Sequence, residues 1–155
     1  MSVAKIAKKN GTYFGSLVIQ DDGSMVFNNE LGRKELLEFG DCVYFFYVNN
    51  ELWKIGKAGG AGGFYNRVQT YKRGLLKLND RTNIMINRVM TEHKEDTIEV
   101  YAIHTPREIV ELTNPLTMES TFSELETATI LERDITIAYL EECDSNTLPL
   151  CSQIN

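Results

Sequence analysis

The run Val43-Tyr44-Phe45-Phe46-Tyr47-Val48 constrains this chain more than any other stretch. Six consecutive aromatic and β-branched residues suit an extended strand and little else. Asn49-Asn50 then supplies a tight turn, and Leu52-Trp53-Lys54-Ile55-Gly56 returns as a second strand. Successive side chains of a strand alternate between faces, so Tyr44 and Phe46 share one side. By the same rule Leu52, Lys54 and Gly56 share one face of the returning strand, and a two-residue turn brings Lys54 near Tyr44.

Around this hairpin the remaining elements follow from local pattern. Thr12 to Ile19 and Met25 to Phe27 read as strands joined at Asp21-Asp22-Gly23, an Asp-Gly turn. A short amphipathic helix over Leu31–Phe39 ends at Gly40. After a glycine-rich loop (Gly59, Gly60, Gly62, Gly63), Phe64, Val68, Tyr71 and Leu75 form one stripe at helical period, predicting a helix from Phe64 to about Arg73. A second helix is expected over Asp80–His93, and a third strand over Thr97–His104. The last long helix is expected to start near Ser123, with Ser123 and Glu126 as a capping box. From Asp144 onward the chain reads as irregular. The fold class expected is α+β: a small three-stranded antiparallel sheet flanked by helices, residues 41–155, with residues 1–40 as a hairpin-plus-helix extension packed on it.

The length of 155 residues suits one domain. No apolar run approaches the ~20 residues that span a bilayer, and the N-terminus lacks a secretory pattern. Three cysteines (Cys42, Cys143, Cys151) without CxxC spacing read as reduced thiols of a cytoplasmic protein. The net charge of −6 is unevenly spread. Residues 54–88 carry eight basic side chains (Lys54, Lys57, Arg67, Lys72, Arg73, Lys77, Arg81, Arg88) against Asp80 alone. Such a stripe is an electrostatic footprint for phosphate, although a solvated helix pair would look the same. The aromatic residues among these cations include Tyr65, a candidate to touch bases.

Four side chains are candidates for chemistry, each with a plain alternative. Glu132 falls within the inward stripe Leu125, Ala128, Leu131, Ile135 and Tyr139 of its expected helix. A carboxylate there needs either an ion-pair partner or a cation such as Mg²⁺. Arg67 either lies over Phe64 and Tyr71 or clamps a phosphate. Tyr44 is either a strand aromatic or a proton acceptor. Lys54 interrupts an apolar strand, beside a glycine that permits close backbone approach. The glycine loop lacks both GxxxxGK[ST] and GxGxxG order, which excludes the common nucleotide sites. His93 and His104 read as structural.

Cys42-Val43-Tyr44, nine intervening residues and Lys54-Ile55-Gly56 resemble the paired motifs that name the GIY-YIG nuclease superfamily. Arg67 on the next helix and Glu132 within Ile130-Leu131-Glu132-Arg133 match that family's arginine and glutamate. Cys42 replaces the first glycine. Lys54 replaces the second tyrosine, as in the restriction-endonuclease-like branch. Arg67–Gly74 and the ending Leu148-Pro149-Leu150-Cys151 to Asn155 are similar to that branch too, with Asn155 a further site-facing residue. The resemblance implies a metal-dependent DNA endonuclease of type II restriction kind, acting on double-stranded DNA as a homodimer or higher oligomer. The alternatives are a repair, recombination or mobile-element nuclease, or a non-catalytic DNA-binding module. It implies Mg²⁺ (or Mn²⁺) held by Glu132, and Tyr44, Lys54, Arg67, Lys57 and Glu132 as catalytic residues. Lys54 would depress the Tyr44 pKa or orient water. Lys57, Tyr65, Lys72, Arg73, Lys77, Arg81 and Arg88 would contact DNA.

Overall fold

In a computed structural model, described for residues 2–22, 24–77, 92 and 97–143, the hairpin of β3 (Cys42–Val48) and β4 (Glu51–Ala58) stands at one end of a five-stranded antiparallel sheet. Asn49 and Asn50 both have positive φ (51° and 65°), as a two-residue hairpin turn demands. The N-terminal strands β1 (Thr12–Ile19) and β2 (Met25–Asn29) pair with each other, and β1 also pairs with β5 (Ile98–His104). The order is therefore β2-β1-β5-β3-β4. The three expected strands are contiguous, and the extension lengthens their sheet.

All seven residues of β3 are buried, because both faces of the sheet are covered. A strand covered on both faces reads as a continuous apolar run rather than an alternation. On one side α2 (Arg33–Phe39) and α3 (Gly63–Lys77) cover Tyr44, Phe46 and Val48 with Leu36, Phe64, Val68 and Tyr71. On the other side, α1 (Val3–Asn10) and α4 (Ala128–Cys143) cover Val43, Phe45, Tyr47, Leu52 and Ile55. Helix α1 was not expected; the Ser2 hydroxyl caps it by accepting from the Lys5 N–H at 3.3 Å. Gly40 closes α2 at φ 76°, as its position predicts.

Two expectations fail. Leu52 does not share a face with Lys54 and Gly56, because the register shifts between Phe46 and Tyr47. Phe46 pairs with Lys54 and Tyr47 with Leu52, so the skipped Trp53 forms a bulge and packs with the α3-side core. Nor does a helix begin at Ser123. Arg107–Thr113 and Ser120–Glu126 form an antiparallel hairpin, β6 and β7, and α4 starts at Ala128. Ser123 and Glu126 are strand residues, and the Thr127 carbonyl accepts the first helical bond, from the Leu131 N–H. Leu125 is accordingly in β7 and 40% exposed, whereas Leu131, Ile135 and Tyr139 pack inward. The helix expected over 80–93, His93 and the tail from Asp144 lie outside the described residues. No described helix is long and apolar enough to cross a membrane.

Candidate functional site

β4 is an edge strand of the sheet, and the candidate side chains converge around its open edge from both faces. Register pairs Tyr44 with Gly56 and Phe46 with Lys54, so these four residues share the α3 side of the pleat. Lys57, opposite Val43, belongs to the α4 side, where its Nζ donates to Thr129 Oγ1 at 2.6 Å. Glu132 stands one turn further along α4.

Gly56 determines how Tyr44 reaches this edge. A Cβ at Gly56 would fall within 3.0 Å of the Tyr44 ring and hydroxyl. The phenol therefore crosses the neighbouring strand through the space that a missing side chain leaves. Its hydroxyl lies 2.5 Å from that of Tyr71 and accepts from Arg67 Nε at 3.3 Å. The Arg67 guanidinium also stands 4.9 Å over the Tyr71 ring. Tyr44 and Tyr71 are each 1% exposed. Arg67 lies over Tyr71, as the first of its two readings expects, and it also donates to the Tyr44 oxygen.

Tyr71 is a core residue, as its place in the helical stripe predicts, and its hydroxyl also reaches Tyr44, which sequence reasoning did not foresee. The signal was available, since Tyr71 is four residues after Arg67 and so its neighbour on one helical face.

Electrostatics tie the two faces together. Burial raises the Glu132 carboxyl above the usual carboxylate range, while Lys54, Lys57 and Arg67, in that order, pull it down. One half-buried acid thus sits in the field of three cations contributed by β4 and α3. Lys54, on an edge strand, is only 6% exposed. Burial also raises Tyr44 well above its ordinary value, Tyr71 adds to that, and Arg67 opposes it. Arg67 is a cation that opposes the rise at Tyr44, donating to its oxygen, and burial outweighs it. For Arg67 burial opposes the charge, but the oxygens of Tyr71 and Tyr44 outweigh burial and hold it above its ordinary range.

The donor set suits a hard divalent cation. Mg²⁺ is commonly held by one or two carboxylates, with waters and substrate phosphate oxygens completing its shell. Glu132 supplies one carboxylate, and no group of three or more acidic, histidine or cysteine ligands exists among the described residues. The surrounding cations would weaken metal binding to the free protein and favour it once a phosphate balances them.

The wider basic surface is described in part. Lys57 is exposed, Lys72 is half-buried, and Tyr65 is half-buried with the Arg33 guanidinium 5.2 Å over its ring. The backbone of Arg73 and Lys77 is helical, but their side chains lie outside the described residues, as do Arg81, Arg88 and Asn155. His104 is exposed, its Nδ1 2.9 Å from the Phe39 carbonyl oxygen.

No family model and no curated protein matches the chain by sequence. Its fold is that of two solved nucleases. A mutant of bacteriophage T4 EndoII is 18% identical, with a TM-score of 0.53 over 94% of this chain and 97% of that one. The restriction endonuclease Hpy188I, solved with product DNA, is 16% identical, with a TM-score of 0.55 over 96% of this chain and 84% of that one. At such identities the likeness is one of architecture.

Proposed function

We propose that this chain is a metal-dependent DNA endonuclease that hydrolyses phosphodiester bonds in duplex DNA, of the sequence-specific restriction type. The observation that carries the reading is the convergence of Tyr44, Lys54, Arg67 and Glu132 on one edge of β4. Their fields act on each other across two faces of the sheet. That edge belongs to a fold also found in a restriction endonuclease solved with its product DNA. A phenol, two cations of different shape and one carboxylate are a fitting set for a phosphate in transit to a pentavalent state.

Glu132 would hold Mg²⁺ or Mn²⁺, which when bound supplies positive charge to the scissile phosphate and its leaving oxygen. Arg67, pre-oriented by the two tyrosines, neutralises charge as it develops on the non-bridging oxygens. Lys57 and Lys54 add to that field from either side of the strand. Tyr44 in its ionised form takes a proton from the attacking water, and the Arg67 Nε–H that donates to its oxygen stabilises that form. Water oxygen bonds to phosphorus, the bond to the leaving sugar oxygen breaks, and that oxygen is protonated from solvent.

Purified protein incubated with supercoiled plasmid and phage DNA, with Mg²⁺ or with EDTA, tests the reading. Discrete fragments that require the metal and disappear in Glu132→Ala support it; Tyr44→Phe is expected to keep binding and lose cleavage by about 10²–10⁴-fold. Nicks or smears would favour a repair or mobile-element nuclease. DNA bound yet intact on several methylation backgrounds would replace the reading with a binding module.

A further inference from the structure

The β6–β7 hairpin leaves the body of the molecule as an arm, and its root is built from polar groups rather than apolar contact. Arg107, the first residue of β6, donates to the buried Asp41 through Nε at 2.7 Å and Nη2 at 3.2 Å. The same carboxylate accepts from the Gly60 N–H at 3.1 Å, and the Asp41 carbonyl accepts from the Thr105 N–H at 2.9 Å. Thr127 Oγ1, between β7 and α4, donates to the Pro106 carbonyl at 2.6 Å. A Cβ at Gly59 would strike the Glu126 carboxylate and come to 3.1 Å from Asp41 Oδ1. The loop leaving β4 is therefore wedged between these two acids.

Three segments that carry candidate catalytic residues meet at this root. Asp41 directly precedes β3, on which Tyr44 stands. Gly60 follows β4, close after Lys57. Thr127 directly precedes α4, one turn and a residue before Glu132. The bond from Lys57 Nζ to Thr129 Oγ1 is the next link between β4 and α4.

A buried ion pair is a weak source of stability, because desolvation offsets most of its attraction. Neither Asp41 nor Arg107 belongs to the apolar clusters on the two faces of the sheet. What the pair supplies is direction: three N–H donors on one carboxylate fix angles as well as distances. Direction counts at a reaction centre, where a displacement of about 1 Å can cost roughly 100-fold in rate.

We propose that Asp41, held by Arg107, is a positioning residue: it clamps the start of α4 to the end of β4 and so sets Glu132 against Lys57 and Tyr44. Its effect on cleavage rests on the nuclease reading above; its hold on α4 does not.

Two measurements on the full chain separate these. The first needs neither DNA nor metal: NMR hydrogen exchange of the Leu131 amide, whose bond to the Thr127 carbonyl opens α4. In Asp41→Asn and in Arg107→Gln this amide is expected to exchange about 10-fold faster or more, through local opening of the helix start. Ile98→Val, a buried change in β5 that lowers overall stability by about 1 kcal/mol, should leave it unaltered. The second is single-turnover cleavage of duplex DNA with Mg²⁺. Both root variants should cut about 10–100-fold more slowly at unchanged DNA affinity, and Ile98→Val at the unaltered rate. Leu131 exchange unchanged in both root variants, or cleavage slowed no more than by Ile98→Val, would overturn the proposal. An unaltered chain that cuts no DNA would sink the nuclease reading instead, and Leu131 would still decide whether Asp41 holds α4.

Discussion

β3 and β6 are both seven-residue strands folded back in hairpins with their sequence neighbours, yet they have opposite fates. Every residue of β3 is buried; in β6 only one is even half-buried. The difference lies in what covers them rather than in their local geometry. β3 has helices on both faces, so its aromatic side chains are fixed by packing and can carry Tyr44 to the site at a defined angle. The arm has only its cross-strand pairs and its root, which leaves its apolar side chains available to another surface.

The sharpest way to break this contrast is to truncate one phenylalanine in each strand pair. Phe46 is fully buried, and Phe46→Ala should cost about 3–5 kcal/mol in urea unfolding. Phe122, 74% exposed, should change stability by less than about 0.5 kcal/mol on the same substitution when the protein is dilute and monomeric. Comparable losses at the two positions would mean that the arm packs against the core in solution.

The next effect joins packing to chemistry. Gly56→Ala puts a methyl group where the Tyr44 ring now lies. Overpacking of this kind costs about 1–3 kcal/mol. Because the displaced group is the Tyr44 phenol, cleavage should fall by roughly 100-fold, well beyond the loss of folded protein. Equal activity per folded molecule would show that the phenol's position is irrelevant to the reaction.

What could be read from the chain and what could not divide along the same line. β3, β4, α3 and the inward stripe of α4 follow from short-range pattern, because burial on two faces writes itself as an aromatic run and as helical periodicity. Tyr44, Lys54, Arg67 and Glu132 were therefore legible as candidates. Their relations were not. The bulge at Trp53 and the pairing of Tyr44 with Gly56 rather than Lys54 are matters of register, which residue type leaves open. The arm was missed because Ser123 and Glu126, three apart, fit a helix cap as well as a strand, and its glutamates dilute the β signal. Tyr71 is the core residue its helical stripe predicts, and its hydroxyl's contact with Tyr44 was not legible because a buried helical tyrosine serves packing and hydrogen bonding at once.

A smaller effect probes the root of the arm. Asp41 is buried and its carboxyl lies below the usual range, held there first by Arg107 against the cost of burial. Arg107 is 40% solvent-exposed, so the pair is partly screened. Asp41→Asn should cost about 1–2 kcal/mol at neutral pH. Because the folded pKa is depressed, the pair's contribution is present above the unfolded aspartate value near 4 and is lost as pH falls through the lower folded value. The variant's deficit should thus be constant from pH 5 to 8 in urea titrations and shrink only in stronger acid. A deficit that vanished by pH 6 would mean that another group anchors the arm.

The last effect separates activity from stability at the buried end of the comparison. Burial raises the Tyr44 phenol, so in the free protein it is overwhelmingly protonated at neutral pH. A raised folded pKa favours the fold below the unfolded tyrosine value near 10, and that advantage is lost as pH climbs through the folded value. Between pH 6 and 9 this group therefore leaves stability unchanged. If its ionised form accepts the water proton, however, the reactive fraction grows about tenfold per pH unit over that same window. Single-turnover cleavage should accelerate from pH 6 to 9 while the urea midpoint shows no step from this residue. A rate that is flat across the window would remove Tyr44 from the role of base and leave it to orient the water through its hydroxyl.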